Sequence, residues 1–95
     1  MPEVLILEFN GVGANEYQAV NKLLGTDASG GGDWPAPLLD HIGATHDGGI
    51  VVVEVWESQA AQAEFMGKLG PALAQVGIPD PTRSQWLTLE GHHVA

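Results

Sequence analysis

The chain has 95 residues and no cysteine, and twelve acidic residues outnumber three basic ones, which gives a formal net charge of −9. Because the basic residues Lys22, Lys68 and Arg83 are scattered singly, binding to nucleic acid or to an anionic membrane surface is disfavoured. The lack of cysteine excludes disulfides, thiol catalysis and cysteine-based zinc sites. The length predicts one domain over residues 1–95, and without a signal-like start or a long apolar run we expect a cytoplasmic protein.

Composition predicts a chain that folds but leaves apolar surface uncovered. Hydrophobic residues make up 44% of the sequence and charged residues only 16%, so a core can form. A domain of this size buries somewhat over about 60% of the surface of its unfolded chain. A weakly charged surface with exposed apolar patches usually binds a partner or a ligand, so we expect a homodimer.

The first half of the chain predicts a strand, a helix and a long loop. Val4 to Phe9 is a short apolar run with β-branched residues, which is typical of a strand. From Asn15 to Leu24 apolar residues recur every three to four positions, and Gly25 follows, as expected for an amphipathic helix. The glycine-rich stretch 25–37 predicts a loop. We expect Trp34 to anchor that loop, and a lid over a cavity is the alternative.

The second half predicts a hairpin that is followed by a helix. Leu38 to His46 and Ile50 to Trp56 are strands, joined by a turn at Asp47-Gly48-Gly49. Ser58 is a candidate N-cap for the second helix, and Gly70-Pro71 predicts a kink or break in it near residue 69.

After that helix the segment from Arg83 to Glu90 alternates in hydrophobicity, which predicts a last strand. The element order is then β-α-β-β-α-β, the order of ferredoxin-like domains. It predicts an α+β fold, a four-stranded antiparallel sheet with both helices on one face. The other face needs a cover, and a second copy of the chain would supply it as a dimeric α/β barrel.

Alternation along the strands assigns residues to the two faces of the sheet. The apolar residues expected to face the helices are Leu5, Leu7, Phe9, Val51, Val53 and Val55. The residues expected on the open face are Val4, Ile6, Glu8, His41, Ile50, Val52, Glu54, Trp56, Trp86, Thr88 and Glu90.

An apolar cavity with a few polar groups is the usual form of a small-molecule site. His41 is the candidate catalytic base, and Glu54 and Glu8 are candidate catalytic carboxylates, because a carboxylate orients an imidazole and favours its protonated form. Alternatively, His41 is a structural histidine and the carboxylates belong to an interface or a rim. The tryptophans either stack on a flat ligand or fill the core. The candidate substrate-binding residues are Trp56, Trp86, Ile6, Val52, Thr88 and Trp34.

Other patterns in the sequence point to no further chemistry. Gly11-Val12-Gly13 begins like a dinucleotide fingerprint, but Glu16 stands at the third glycine position and would repel a pyrophosphate. The pair His92-His93 lacks metal-ligand spacing with the other histidines, so no metal site is expected. There is no G-x-S-x-G nucleophile motif.

Three segments carry a family resemblance. They run from Trp34 to His41, from Asp47 to Ser58, and from Phe65 through Leu69-Gly70-Pro71 to Pro79. Together they resemble the small dimeric α/β-barrel proteins related to antibiotic biosynthesis monooxygenases. The resemblance implies relatives of several kinds: cofactor-independent oxygenases of polycyclic phenols, haem-degrading enzymes, polyketide cyclases and lactone isomerases.

The residues that mark each kind of relative can be compared with this sequence. Haem-degrading relatives have an asparagine on the first strand, a tryptophan after the third and a histidine on the second helix. Asn10 and Trp56 match, but no histidine lies between 58 and 77, so haem degradation is not expected. The oxygenase branch uses neither metal nor flavin and deprotonates a phenol, for which His41 with Glu54 or Glu8 is the best match.

The resemblance therefore implies a cofactor-free enzyme with a histidine base that acts on a small aromatic or polyketide-like metabolite. It would be monooxygenase-like, or cyclase-like or isomerase-like. The alternative is a non-catalytic dimeric barrel that binds a ligand or is associated with stress.

Overall fold

A computed structural model describes residues 2–27 and 29–93. The predicted element order is confirmed, and most boundaries agree with the predicted ones to within one residue; the last strand ends at Thr88 instead of Glu90. The elements are β1 (Glu3–Asn10), α1 (Ala14–Leu24), β2 (Leu38–His46), β3 (Gly49–Trp56), α2 (Gln59–Val76) and β4 (Arg83–Thr88).

The four strands form one sheet in the order β2-β3-β1-β4, and every neighbouring pair is antiparallel. The two helices pack against each other and cover one face of the sheet. This is the expected α+β, ferredoxin-like arrangement. Because the first and last strands, β1 and β4, lie side by side, the chain closes around one core between the helices and the sheet.

The predicted helix starts and stops are confirmed. Ser58 Oγ accepts a hydrogen bond from Ala61 N–H at 3.1 Å, and Gly25 ends α1 in the left-handed conformation with φ of 76°. The break predicted in α2 is wrong, since the helix runs through Pro71 without interruption. A proline removes one hydrogen bond, here to the carbonyl of Gly67, and the turns on either side keep theirs.

Neither helix in the described ranges, 2–27 and 29–93, is long and apolar enough to cross a membrane.

Cross-strand register decides which face each side chain occupies. Directly opposite residues of an antiparallel pair share a face. Leu5 lies opposite Glu54, Leu7 opposite Val52 and Phe9 opposite Ile50. The prediction for β1 is therefore right and the prediction for β3 is wrong. Both residue sets of β3 are largely apolar, so composition could not assign them. The β3 residues on the helix-covered face are Ile50, Val52, Glu54 and Trp56.

Cross-strand register also shows that the faces predicted for β2 and β4 are wrong. His41 lies opposite Glu54, Trp86 opposite Leu5 and Thr88 opposite Glu3, so all three belong to the helix-covered face and not to the open face. Glu90 lies beyond the end of β4.

The open face carries mostly apolar side chains, of which Val55 is already buried, with 7% of its surface exposed. At its edge Glu8 pairs with Arg83, with Oε2 and Nη1 3.3 Å apart. Beyond β4 the chain returns to β2, where His92 hydrogen-bonds Asp40. The apolar residues of this face are Val4, Ile6, Ile42, Val51, Val53, Val55 and Leu87.

A β-bulge near the start of β2 sets the face of every later residue in that strand. Leu38 lies opposite Trp56, but Asp40 lies opposite Val55, so Leu39 is an extra residue. Without it, simple alternation would turn Asp40 toward the helices and His41 away from them. The bulge therefore places the histidine opposite Glu54.

Candidate active site

The predicted histidine and one of its two predicted carboxylates meet in the structure. His41 Nδ1 lies 2.9 Å from Glu54 Oε2, and both side chains are largely buried, with 15% and 6% of their surface exposed. The second oxygen of Glu54 accepts a hydrogen bond from Trp56 Nε1 at 3.0 Å. Trp56 is fully buried and packs on Phe65. The carboxylate is thus fixed from both sides, which fixes the plane of the imidazole.

Tyr17 completes a chain of three polar side chains. Its hydroxyl lies 2.6 Å from His41 Nε2, on the side of the ring away from Glu54. Sequence reasoning missed this residue because its spacing in α1 marked it as part of an apolar face. The signal that would have found it is the hydroxyl itself, because a buried tyrosine O–H needs a partner.

Gly43 makes room for the tyrosine ring. It lies two residues after His41 and faces the helices. A Cβ built at Gly43 would approach the ring atoms and hydroxyl of Tyr17 to between 2.7 and 2.9 Å. Any side chain at this position would push Tyr17 away from the sheet. The chain of hydrogen bonds therefore depends on a residue that takes no part in it.

The direction of the hydrogen bonds follows from Glu54, because a carboxylate only accepts. His41 Nδ1 must carry a hydrogen toward it. In the neutral ring Nε2 is then the acceptor, and Tyr17 O–H donates to it. Burial raises the pKa of Tyr17 above 10.0; the amide of Asn21 acts in the opposite direction, and the negative charge of Glu54 adds to the rise. Tyr17 is therefore a neutral hydroxyl at neutral pH.

An inner cavity of about 220 Å³ lies between the sheet and the helices, and His41, Tyr17 and Glu54 open onto it. Its wall is otherwise mostly apolar and comes from β1, β3 and both helices. The apolar lining residues are Leu7, Phe9, Val12, Val20, Leu24, Ile50, Val52, Phe65, Met66, Leu69, Leu73, Ile78 and Pro81.

An outer pocket of about 430 Å³ adjoins the inner cavity. Three residues line both spaces: Tyr17, Trp34 and His41. The Trp34 ring lies over His41, with centroids 4.6 Å apart and planes inclined by 40°.

The loop that carries Trp34 is tied down by its own hydrogen bonds. Trp34 Nε1 donates to Asp27 O at 3.1 Å, so the predicted anchoring role is confirmed. Gly30 N–H donates to the same carbonyl, and Ser29 N–H donates to Asp27 Oδ1, which lowers the pKa of Asp27.

The other predicted site residues divide among three places. Val52 lines the inner cavity, as does Trp34. Trp86 and Thr88 lie on the same face of the sheet but are not among the described lining residues. Ile6 and Glu8 lie on the open face, so Glu8 cannot reach His41, and Glu54 is the carboxylate beside it.

In the described part of the chain, no three histidine, aspartate or glutamate side chains come together in a way that would hold a metal ion.

Comparison with solved structures decides the fold. A structure from Chloroflexus aurantiacus J-10-fl, named "putative Antibiotic biosynthesis monooxygenase", superposes with a TM-score of 0.69. The match covers 99% of this chain and 98% of that one, at 16% sequence identity. The chain therefore has the same fold as this structure. No family model and no curated protein sequence matches the chain.

The predicted resemblance is thus confirmed for the fold. A sequence identity of 16% does not carry residue roles across, because unrelated activities share one fold and are set by the residues of the site. The function of this chain depends on the residues of its own cavity.

Proposed function

We propose that the inner cavity binds a small flat aromatic metabolite with an acidic hydroxyl group, and that Glu54, His41 and Tyr17 remove its proton. One observation carries the proposal: a fully hydrogen-bonded carboxylate, imidazole and phenol end on an otherwise apolar cavity. Buried polar chains of this kind fix the position and the basicity of the terminal group.

The proton path follows from the direction of the hydrogen bonds. The substrate hydroxyl donates to the oxygen of Tyr17, whose own hydrogen already points at His41 Nε2. As the substrate proton moves to Tyr17, the tyrosine proton moves to the imidazole, and Glu54 stabilises the imidazolium that forms. Because the pKa of Tyr17 is raised, Tyr17 relays the proton and does not keep a negative charge.

The size of the cavity narrows the substrate class. A cavity of about 150 Å³ lined by apolar side chains holds one benzene molecule. The inner cavity, at about 220 Å³, therefore suits one ring or two fused rings. A larger polycyclic phenol would have to extend past Trp34 into the outer pocket.

The anion produced in this way is the starting point for the chemistry. An aromatic oxyanion is electron-rich enough to react with dioxygen, which places one oxygen atom on the ring as a carbonyl while the other leaves as water. The ring supplies all the electrons and two hydrogens, so the oxygenation requires no cofactor. Cyclisation or isomerisation would begin from the same anion.

A purely structural role for the residues around this cavity is less well supported. Protein cores that serve only stability pack without voids of this size. A core role also gives no reason to place an ionisable chain at the cavity wall, because burying such groups has a cost.

The test uses β-naphthol, whose protonated and ionised forms have different absorbance spectra. We expect the wild-type protein at neutral pH to bind it and to hold a measurable fraction as naphtholate. Glu54→Gln keeps the shape of the side chain but removes the charge that stabilises the imidazolium. The naphtholate fraction should fall about tenfold or more, as expected for a lost charge-assisted hydrogen bond.

Glu8→Gln is the matched control, because Glu8 lies on the opposite face of the sheet. It should leave the naphtholate fraction unchanged. An unchanged fraction in Glu54→Gln would refute the proposed relay. With β-naphthol as substrate, an oxygen electrode and chromatography for ortho-naphthoquinone then separate oxygenation from the other reactions.

We also propose that the chain forms a homodimer through the open face. The support is the apolar character of that face, on which Ile42 has 58% of its surface exposed. A second copy would cover this face and complete the predicted α/β barrel.

A further inference from the structure

Asn21 is a buried polar residue in the wall of the inner cavity. It lies one helical turn after Tyr17 in α1, so both side chains are on the same side of the helix. Only 6% of its surface is exposed. Asparagine prefers solvent, and a buried one is normally held by hydrogen bonds to both ends of its amide.

The amide of Asn21 is held at one end only. Its Oδ1 accepts a hydrogen bond from Thr26 Oγ1 at 2.9 Å, just past the end of α1. Its Nδ2 is fully buried and has no hydrogen-bond partner among residues 2–27 and 29–93. A buried unpaired donor costs about 1–3 kcal/mol, so a native protein that keeps one usually has a use for it.

The orientation of this amide is set by its neighbour Tyr17. Since Tyr17 gives its hydrogen to His41, the tyrosine oxygen presents only lone pairs to its other neighbours. In the flipped orientation the amide oxygen would face these lone pairs, and the two oxygens would repel each other. Because Thr26 holds Oδ1, Nδ2 is the end of the amide that is turned toward the tyrosine oxygen, without making a hydrogen bond to it. Its proximity lowers the pKa of Tyr17 against the effect of burial.

The cavity has few other groups that stabilise a negative oxygen. The described lining residues include no lysine or arginine. Besides Asn21, its uncharged polar lining residues are Tyr17, Trp34, Gln62 and Ser84, and none of these is buried to the same degree.

We infer that Asn21 is a substrate-binding residue whose Nδ2 donates a hydrogen bond to the substrate oxygen, beside the acceptor oxygen of Tyr17. This inference rests on the proposed function and specifies the group that the site recognises. A donor next to an acceptor fits a hydroxyl, which accepts from Asn21 and donates to Tyr17. A ketone or an ether cannot satisfy Tyr17, and a plain hydrocarbon satisfies neither group. After proton transfer the same Nδ2 stabilises the oxyanion.

The test compares two ligands of nearly equal shape, β-naphthol and naphthalene, by calorimetric titration. The variant Asn21→Leu replaces the amide by an apolar group of similar size. We expect it to weaken β-naphthol binding about tenfold, the value of one hydrogen bond, and to change naphthalene binding less than about twofold. The fraction of bound naphtholate should fall as well.

Thr26→Val is the control for an indirect effect, because it removes the partner of Oδ1 and leaves Nδ2 in place. It should keep the preference for β-naphthol over naphthalene. Naphthalene binding by Asn21→Leu reports directly that the cavity is intact, and the smaller Asn21→Ala should repeat the selective loss. Equal weakening of both ligands, no weakening, or the same loss in Thr26→Val would each overturn the inference.

These outcomes are separate from those that test the relay. If Asn21→Leu loses only β-naphthol affinity while Glu54→Gln leaves the naphtholate fraction unchanged, the binding role stands and the proton relay fails. If wild-type protein binds neither ligand, both proposals fail.

Discussion

The two faces of the sheet have similar apolar residues but differ in where their polar side chains lie. β3 contributes Val51, Val53 and Val55 to the open face, and Ile50 and Val52 to the covered one. The covered face also holds Glu54 and His41, which are joined by a hydrogen bond and line the inner cavity. The ionic pair of the open face, Glu8 with Arg83, lies at the strand edge and is partly exposed.

This difference shows that the surroundings of a charged pair determine how strongly its members interact. The open face leaves its ion pair in contact with solvent, where such a pair contributes at most about 1 kcal/mol and little selectivity. On the covered face the apolar surroundings strengthen each electrostatic interaction and exclude water. An acidic residue with a basic partner is therefore a partly exposed pair on one face and a buried pair at the cavity wall on the other.

The largest expected effect concerns stability. Leu5, on the covered face, has 1% of its surface exposed, and Ile42, on the open face, has 58%. We expect Leu5→Ala to lower the free energy of unfolding by about 3 kcal/mol, because it leaves a hole in the core. Ile42→Ala should cost less than about 0.5 kcal/mol in dilute protein. Denaturant unfolding measures both.

If the open face is a dimer interface, the cost of Ile42→Ala should rise with protein concentration, because assembly stabilises the folded chain by mass action. A large cost of Ile42→Ala at every concentration would mean that the two faces do not differ as described.

The second effect concerns assembly. Ile42→Asp places a charge on the open face, halfway along the edge strand β2, and burying it at an interface would weaken a dimer about 100-fold or more. Analytical ultracentrifugation should show wild-type chains as dimers and the variant as monomers. The control is Leu23→Asp on α1, since Leu23 is exposed to a similar degree, 47%, away from the sheet. A wild-type monomer, or equal dissociation by both variants, would contradict the homodimer.

The smallest effect concerns the titration of Tyr17, which is the single tyrosine of the chain. Its folded-state pKa is raised above 10.0, so the unfolded chain loses this proton first as the pH rises. The stability that this group contributes is therefore full below about pH 10 and is lost as the pH passes through the folded pKa. Phenolate absorbance follows the titration, and Tyr17→Phe should remove both the signal and this part of the alkaline loss.

The same titration compares the two faces directly. Glu54 is one cause of the raised pKa of Tyr17, so Glu54→Gln should move the titration to lower pH. Glu8→Gln should not. A titration that responds equally to both variants would show that Tyr17 senses overall charge instead of its neighbour.

Much of the fold could be predicted from the sequence. Periodicity and turn residues determine the elements, and their order leaves few arrangements of a small α+β domain. A carboxylate partner for His41 was also predicted, but the sequence left Glu54 and Glu8 as alternatives, and the structure selects Glu54. The face on which they meet was not predictable, because two apolar residue sets alternate along β3 and only cross-strand register tells them apart.

Two parts of the site depend on geometry that leaves no trace in composition. The extra residue Leu39 turns His41 toward the helices, and a bulge of this kind has no fixed sequence signature. Tyr17 and Asn21 come from α1, far from the hairpin in sequence. The roles proposed for them depend on how closely that helix approaches β2.

That approach has a thermodynamic consequence. Because Gly43 has no side chain, the ring of Tyr17 lies directly against the backbone of β2. Its rotamer freedom is lost when the chain folds, and not when a ligand arrives. Ordering the Tyr17 side chain therefore lowers the free energy of unfolding of the ligand-free protein. It does not lower the affinity for a ligand, because the side chain is already ordered before the ligand binds.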